Sequence, residues 1–198
     1  MSERVLQVLR ERFGDAIVDS HSHVGDDTAV VAPEKWKEVC RFLREDPQMD
    51  FDMFTDLCGV DYPSRETRFE VVLHLYSLNR RHRIRLKSRV GDQEGDDAEI
   101  ESVADIWPGA NWFERECFDL VGITFKNHPD LRRILMYPEF VGHPLRKDYP
   151  ANKAQPLIPY RTEEEAGLPL EKLAPFGDDE GMAFGRMLSG TDSEAGGS

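Results

Sequence analysis

The 198-residue chain has only three cysteines, Cys40, Cys58 and Cys117, and no two of them form a Cys-x-x-Cys pair. That disfavours zinc or iron–sulfur ligation by this chain alone, and a scattered, odd set in apolar surroundings suits reduced, buried thiols of a cytosolic environment. No run approaches the ~18 consecutive apolar residues of a membrane span. The first thirteen residues mix Glu3, Arg4, Arg10, Glu11 and Arg12 with aliphatics, so they lack the apolar centre of a secretory leader. Positive charge is scarce too: 25 Lys and Arg against 38 Asp and Glu leave a formal net charge of −13. Such a balance argues against binding nucleic-acid phosphates and against direct docking to anionic headgroups. No glycine-rich phosphate loop follows a strand, and Gly91 and Gly95 lie in an acidic loop of the wrong charge to cradle a nucleotide. The expectation is a soluble, cytoplasmic chain with no nucleotide, flavin or metal site of its own.

What is present is a patterned first two thirds. Val5, Leu6, Leu9 and Phe13 recur at helical spacing and predict a helix over 3–13. Residues 16–23 and 28–32 predict a hairpin turning at Gly25-Asp26-Asp27. Pro33 then stands where a first helical turn tolerates it, and Trp36, Val39, Cys40 and Leu43 form the apolar stripe of a second helix that stops at Pro47. A strand near 57–62 precedes a clear strand pair, in which Phe69, Val71, Leu73 and Leu75, then Ile84, Leu86 and Val90, alternate with other side chains. Ser102 is placed to cap a short helix ending at Trp107, and Asn111 to Leu120 predict another, with Gly122 at its end. The order predicts an α+β fold: a two-layer mixed sheet of about five strands with packed helices, followed by a long extended C-terminal tail.

The division is expected near residue 127, with an α+β core over 1–127 and a Pro-rich tail over 128–198. Eight of the twelve prolines follow residue 128, which forbids long helices and central strands there. Ordering each residue costs about 1–2 kcal/mol, against about 25 cal/mol per Å2 of apolar surface buried. The tail carries large side chains such as Leu135, Met136, Tyr137, Phe140, Tyr149, Leu157 and Tyr160, but has no core of its own in which to bury them. A partner polypeptide is expected to supply the missing surface.

Three sets of polar residues invite a chemical reading. Asp19-x-His21-x-His23 after a β-branched run resembles the first metal ligands of an amidohydrolase, since two histidines spaced by two share one side of a strand. That fold needs about 250 residues of repeated strand–helix units, and His74, His82, His128 and His143 do not fall at successive strand ends, so a metal-dependent hydrolase built on His21 and His23 is rejected. Arg83, Arg85, Lys87 and Arg89, with Arg80 and Arg81 at the turn, suit either an acidic partner or a solvated or edge strand guarded by charge. The third set runs from Trp112 to Pro150. Glu114, Arg115, Glu116 and Asp119 on a short helix are followed by His128, Arg132 and Arg133, then by His143, Arg146, Lys147, Asp148 and Tyr149. Carboxylates followed by arginines can form partly buried ion pairs that pin an extended tail to the domain or to a neighbour. General acid–base chemistry by two carboxylates would need a nucleophile, metal or cofactor that nothing nearby suggests.

This block resembles the signature of the C-type subunit of proton-pumping NADH:quinone oxidoreductase, respiratory complex I. Glu114, Arg115, Glu116, Asp119, Leu120, Val121, His128, Arg132, Ile134 and Leu135 carry the likeness, followed by Gly142-His143-Pro144-Leu145-Arg146-Lys147-Asp148-Tyr149-Pro150. Upstream, Asp56-Leu57-x-Gly59-Val60-Asp61-Tyr62 and Ser102-Val103-x-Asp105-Ile106-Trp107-Pro108-x-Ala110-Asn111-Trp112 are similar to the same family, so the resemblance covers about residues 3–150. It implies a non-catalytic structural or assembly component of the hydrophilic arm, peripheral on the cytoplasmic side of the cell inner membrane. Its tail would embrace the D-type subunit, with the B-type and I-type arm subunits nearby. FMN and iron–sulfur clusters would sit in partner subunits, and the whole complex would pass electrons from NADH to quinone while translocating protons. The same domain occurs in membrane-bound hydrogenases and ferredoxin-driven dehydrogenases, and no residue here identifies the electron donor.

Overall fold

The computed structural model describes residues 2–95 and 97–157, and the expectations that fall on residues 158–198 lie outside that range. The elements in chain order are α1 (Ser2–Phe13), β1 (Ile17–His23), β2 (Asp26–Val31), α2 (Trp36–Glu45), β3 (Met53–Asp61), β4 (Phe69–Ser77), β5 (His82–Val90), β6 (Glu99–Glu101), α3 (Ala110–Leu120) and β7 (Thr124–Lys126). The first five strands form one mixed sheet in the order β1-β2-β5-β4-β3, parallel only between β2 and β5. The expected α+β, two-layer, five-stranded sheet is present.

Each helix buries the face its spacing marks. Val5, Leu6 and Leu9 of α1 and Trp36, Val39, Cys40 and Leu43 of α2 are buried against Ala29, Val31, Leu73, Leu75, Ile84 and Leu86 on one side of the sheet. The alternation of β4 and β5 assigns the two faces. Phe69, Val71, Leu73 and Leu75 pair in register with Val90, Ser88, Leu86 and Ile84 on the helix side. Arg83, Arg85, Lys87 and Arg89 therefore emerge on the other face with Glu70, Val72, His74 and Tyr76. Because β5 is the third of five strands, these cations do not guard a sheet edge, and that alternative for them is set aside.

Three local expectations are corrected. The hairpin turns one residue earlier than expected, at Val24-Gly25, and Asp26 and Asp27 belong to β2. Both turn residues have positive φ, 54° and 85°, as a two-residue type I′ connection requires. Valine is ill suited to that region, and Val24 is 91% exposed, so packing does not hold it there. Val24→Asn is expected to stabilise the protein by about 1 kcal/mol, raising Tm by roughly 2–4 °C. An unchanged or lower Tm on thermal denaturation would show that the turn stores no strain. Second, residues 102–107 make a single turn and no helix: Val103 O accepts from Ile106 and Trp107, and Ser102 Oγ accepts only from Ala104 N. Third, β6 and β7 form a separate parallel pair that the sequence did not suggest, since three-residue strands are too short to display alternation.

Candidate functional site

Residues 128–157 leave β7 as a strap laid along α3. The match of helix and strap begins at His128, whose Nε2 lies 3.1 Å from Asn111 O, while its Nδ1 accepts from Asp130 N at 3.0 Å. With Nδ1 facing a backbone N–H, Nε2 is the ring nitrogen placed to donate to Asn111 O. Nε2 also lies 3.9 Å from Glu114, beyond hydrogen-bond distance. Arg115, one turn into α3, donates to the carbonyls of Arg132 and Arg133 at 3.1 and 3.2 Å.

The central anchor is Asp119, fully buried near the end of α3. One carboxylate oxygen takes Arg133 at 2.7 Å; the other takes the backbone N–H groups of Ile134, Leu135 and Met136 at 3.0, 2.7 and 2.8 Å. Burial alone would push this carboxyl up, but the Met136, Arg133, Leu135 and Ile134 donors together hold it below the usual carboxylate range. Arg133 also donates to Gly142 O at 3.1 Å, which ties one bend of the strap to the next.

Beyond α3 the helix stops at Gly122, φ 85°, whose N–H reaches Cys117 O and Phe118 O. The strap crosses this bare corner closely. A Cβ on Gly122 would come within 2.6 Å of Arg146 and of His143, so any side chain there would have to displace the His143 ring as well as adopt a strained φ. Arg146 donates from Nε to Val121 O at 2.7 Å, Leu145 N donates to Leu120 O at 2.9 Å, and His143 Nδ1 lies 3.0 Å from Asp119 O. Burial first, then the guanidinium groups of Arg146 and Arg133, push the His143 imidazole below its ordinary range.

A second anchor holds the far end. Arg68 grips Asp61 through Nε and a terminal nitrogen at 2.8 and 2.9 Å, and turns its remaining edge to Asp148 at 3.0 Å. Lys147 N also donates to Asp61 at 2.7 Å. The Asp61 and Asp148 bonds raise the Arg68 guanidinium pKa still further, and Arg68 in turn holds Asp148 below the usual carboxylate range. Tyr149 stacks on Phe140 at 6.1 Å, and its hydroxyl accepts from Gln155.

The twelve residues singled out in the sequence do different things. Asp119, Arg133, His143, Arg146 and Asp148 hold the strap, as do the backbone of Lys147 and the ring of Tyr149. Glu114 is also fully buried, too deep to touch a partner. Its oxygens accept from Ser102 Oγ at 2.6 Å and Val103 N at 2.7 Å. Glu116 and Arg132 are exposed, Arg132 with Asp130 at 2.9 Å. Asp61 and Arg68 are the residues that sequence reasoning missed. Asp61 stands out in the sequence only as part of a longer motif, and its sole further signal is that Arg68 lies across a short β3–β4 connection. His21 and His23 are exposed on β1, and among the described residues no three potential ligands cluster as a metal site.

The segment that holds these anchors matches a known family. Residues 29–155 match the family model described as the 30 kDa subunit of respiratory-chain NADH dehydrogenase, a stretch that takes in α3, both anchors and nearly the whole strap. The chain belongs to this family. Among its curated relatives, the second C-type subunit of NADH-quinone oxidoreductase from Rhizobium etli is 50% identical over 142 residues, 72% of this chain and 74% of the relative. The C-type subunit of the same oxidoreductase from Geobacter sulfurreducens is 47% identical over 150 residues, 75% of this chain and 90% of the relative. A chain in the solved structure of the membrane-bound sulfane sulfur reductase, an archaeal respiratory membrane complex, superposes with a TM-score of 0.63 at 24% identity. That superposition covers 76% of this chain and 86% of the other, a likeness of fold. In this chain the Asp61–Arg68–Asp148 and Asp119–Arg133 anchors, all within the matched residues, fix the strap's path.

Proposed function

We propose that this chain is a component of NADH-quinone oxidoreductase that performs no chemistry itself and presents its strap to a neighbouring polypeptide, the D-type partner of the hydrophilic arm on the cytoplasmic side. FMN and iron–sulfur clusters belong, on this reading, to partner chains. One observation carries the proposal. Asp119 holds the backbone of residues 134–136 by three bonds, while Leu135, Tyr137, Val141 and Leu145 around it remain exposed. A segment fixed by polar bonds with its large apolar side chains turned outward is an interface already ordered before binding, which lowers the entropic cost of association. Trp112, exposed on α3, lies on the same helix and adds an aromatic anchor of the kind that dominates interface energies.

The paired substitution Leu135→Asp with Leu145→Asp tests this. Both positions are exposed, so thermal stability should shift by no more than about 0.5 kcal/mol. Incorporation into the complex should fall roughly tenfold or more, with turnover per assembled complex unchanged. Normal incorporation would remove the strap from the interface. Normal incorporation with lost turnover would give this chain a part in the chemistry. Mass spectrometry of the co-purifying chains would identify the neighbour and, with it, the electron donor.

A further inference from the structure

The sheet face opposite the helices has an unusual charge distribution for a chain of net charge −13. On the central strand β5, Arg83, Arg85, Lys87 and Arg89 stand at alternate positions, about 7 Å apart, close enough to repel one another within a Debye length. The counter-charges are too few. Asp26 takes Arg83 at 3.5 Å. Glu70 alone serves Lys87 at 2.8 Å, Arg65 at 3.1 Å and Arg89 at 3.8 Å. Arg85 forms no ion pair among the described residues and donates only to Thr28 Oγ1, at 3.4 Å. We propose that this open face is a second docking surface that takes an acidic segment of a neighbouring polypeptide, its carboxylates seated along β5 from Arg85 to Arg89.

The register supports this choice of occupant. Asp56, His74, Arg85 and Thr28 form one row across β3, β4, β5 and β2, at a groove of about 600 Å3 also lined by Asp26, Asp27, Met53, Tyr76 and Arg83. His74 adds little positive charge there, because burial and then Arg85 push its imidazole below the ordinary range. Asp26 is engaged with Arg83, and Asp56 lies a strand beyond His74, so the positive strip is β5 itself. A guanidinium with a free planar edge beside apolar Met53 and Tyr76 suits a bidentate carboxylate on a side chain or strand.

The inference rests on the chain working inside an assembly, and the test separates the two. Lys87 provides the probe, since its amine can be acylated and can be joined to a carboxylate by a zero-length carbodiimide. In the assembled complex Lys87 should lose most of the acylation it shows in the free full-length chain, and carbodiimide should join it to an Asp or Glu of another polypeptide. Arg85→Glu with Arg89→Glu should weaken incorporation roughly tenfold. Equal acylation of Lys87 in both states overturns the inference and leaves the strap reading intact, as do links only to Glu70 or to this chain's residues 158–198. Absence of the chain from the assembly overturns both.

Discussion

Replacing Asp119 with alanine is expected to release the strap from α3 while the five-stranded sheet stays folded. The substitution removes four bonds at once and leaves the Arg133 guanidinium, only 19% exposed, without its carboxylate. Breaking a buried pair by deleting one partner costs about 3–5 kcal/mol, most of it the penalty of the charge left behind. Here that cost falls on a surface segment rather than on the sheet, so it is expressed as local opening. At about 1.4 kcal/mol per factor of ten, the amides of residues 134–136 should exchange with solvent more than a hundredfold faster. Asp119→Asn should fall between the two, since one amide oxygen cannot serve both Arg133 and three backbone donors. Hydrogen exchange read at residues 134–136 and at the β4–β5 core decides the matter. If the strap amides exchange at the same rate in wild type and Asp119→Ala, the anchor role is lost, and so is the preordered interface built on it.

The contrast between what was legible in the residues and what was not follows from how each bond is encoded. The α2 stripe and the β4–β5 pairing are written in side-chain periodicity, because burial of one face selects apolar residues at fixed spacing. The centre of the sheet is not so written. β5 pairs with β2 across more than fifty residues, and nothing in the alternation of either strand names the other. That is why the basic strand could be read as an edge. The strap shows a similar limit. Its prolines and its surplus of large side chains announced an irregular segment lying against something. The bonds that hold it run largely from backbone N–H groups to Asp119 and from arginines to the backbone carbonyls of Asp119, Val121 and Gly142. Backbone groups are the same at every residue, so such bonds leave no trace beyond the Asp and the Arg themselves. The expectation that the tail buries its side chains only on a partner is accordingly divided. Leu131 packs against the domain core and Tyr149 is half-buried, whereas Leu135, Val141 and Leu145 remain open.

Between about pH 5 and pH 8 ionisation of Glu114 should cost the protein stability, and Glu114→Gln should abolish that cost. Burial drives the Glu114 carboxyl up to about 7 despite the Ser102 and Val103 bonds that favour its ionised form. The sign follows from linkage. A group whose folded pKa is raised contributes fully below its unfolded value, here near 4.5, and loses that contribution as pH climbs through 7. At about 1.4 kcal/mol per pKa unit the loss approaches roughly 3 kcal/mol. Lys37, the nearby cation that lowers the Glu114 carboxyl, does not cancel the effect of burial, since it is paired with Asp105 at 3.1 Å. Asp61, Asp119 and Asp148, all held below the usual carboxylate range by their donors, act in the opposite direction, and their contribution disappears only as pH falls below about 4. His74 and His143, whose imidazoles are held below their ordinary range, also oppose Glu114, favouring the fold as pH rises through about 6.5, so the Glu114 contribution is read as the difference between wild type and Glu114→Gln. Glutamine reproduces the protonated acid, its amide donating to Ser102 Oγ and its oxygen accepting from Val103 N, and it cannot ionise. Glu114→Ala would instead orphan the Val103 N–H and open a cavity, lowering stability at every pH. Denaturant melts of wild type and Glu114→Gln across this range should diverge on the alkaline side. Parallel curves would mean that Glu114 stays in one protonation state throughout, and that its burial does not govern the alkaline limit of the fold.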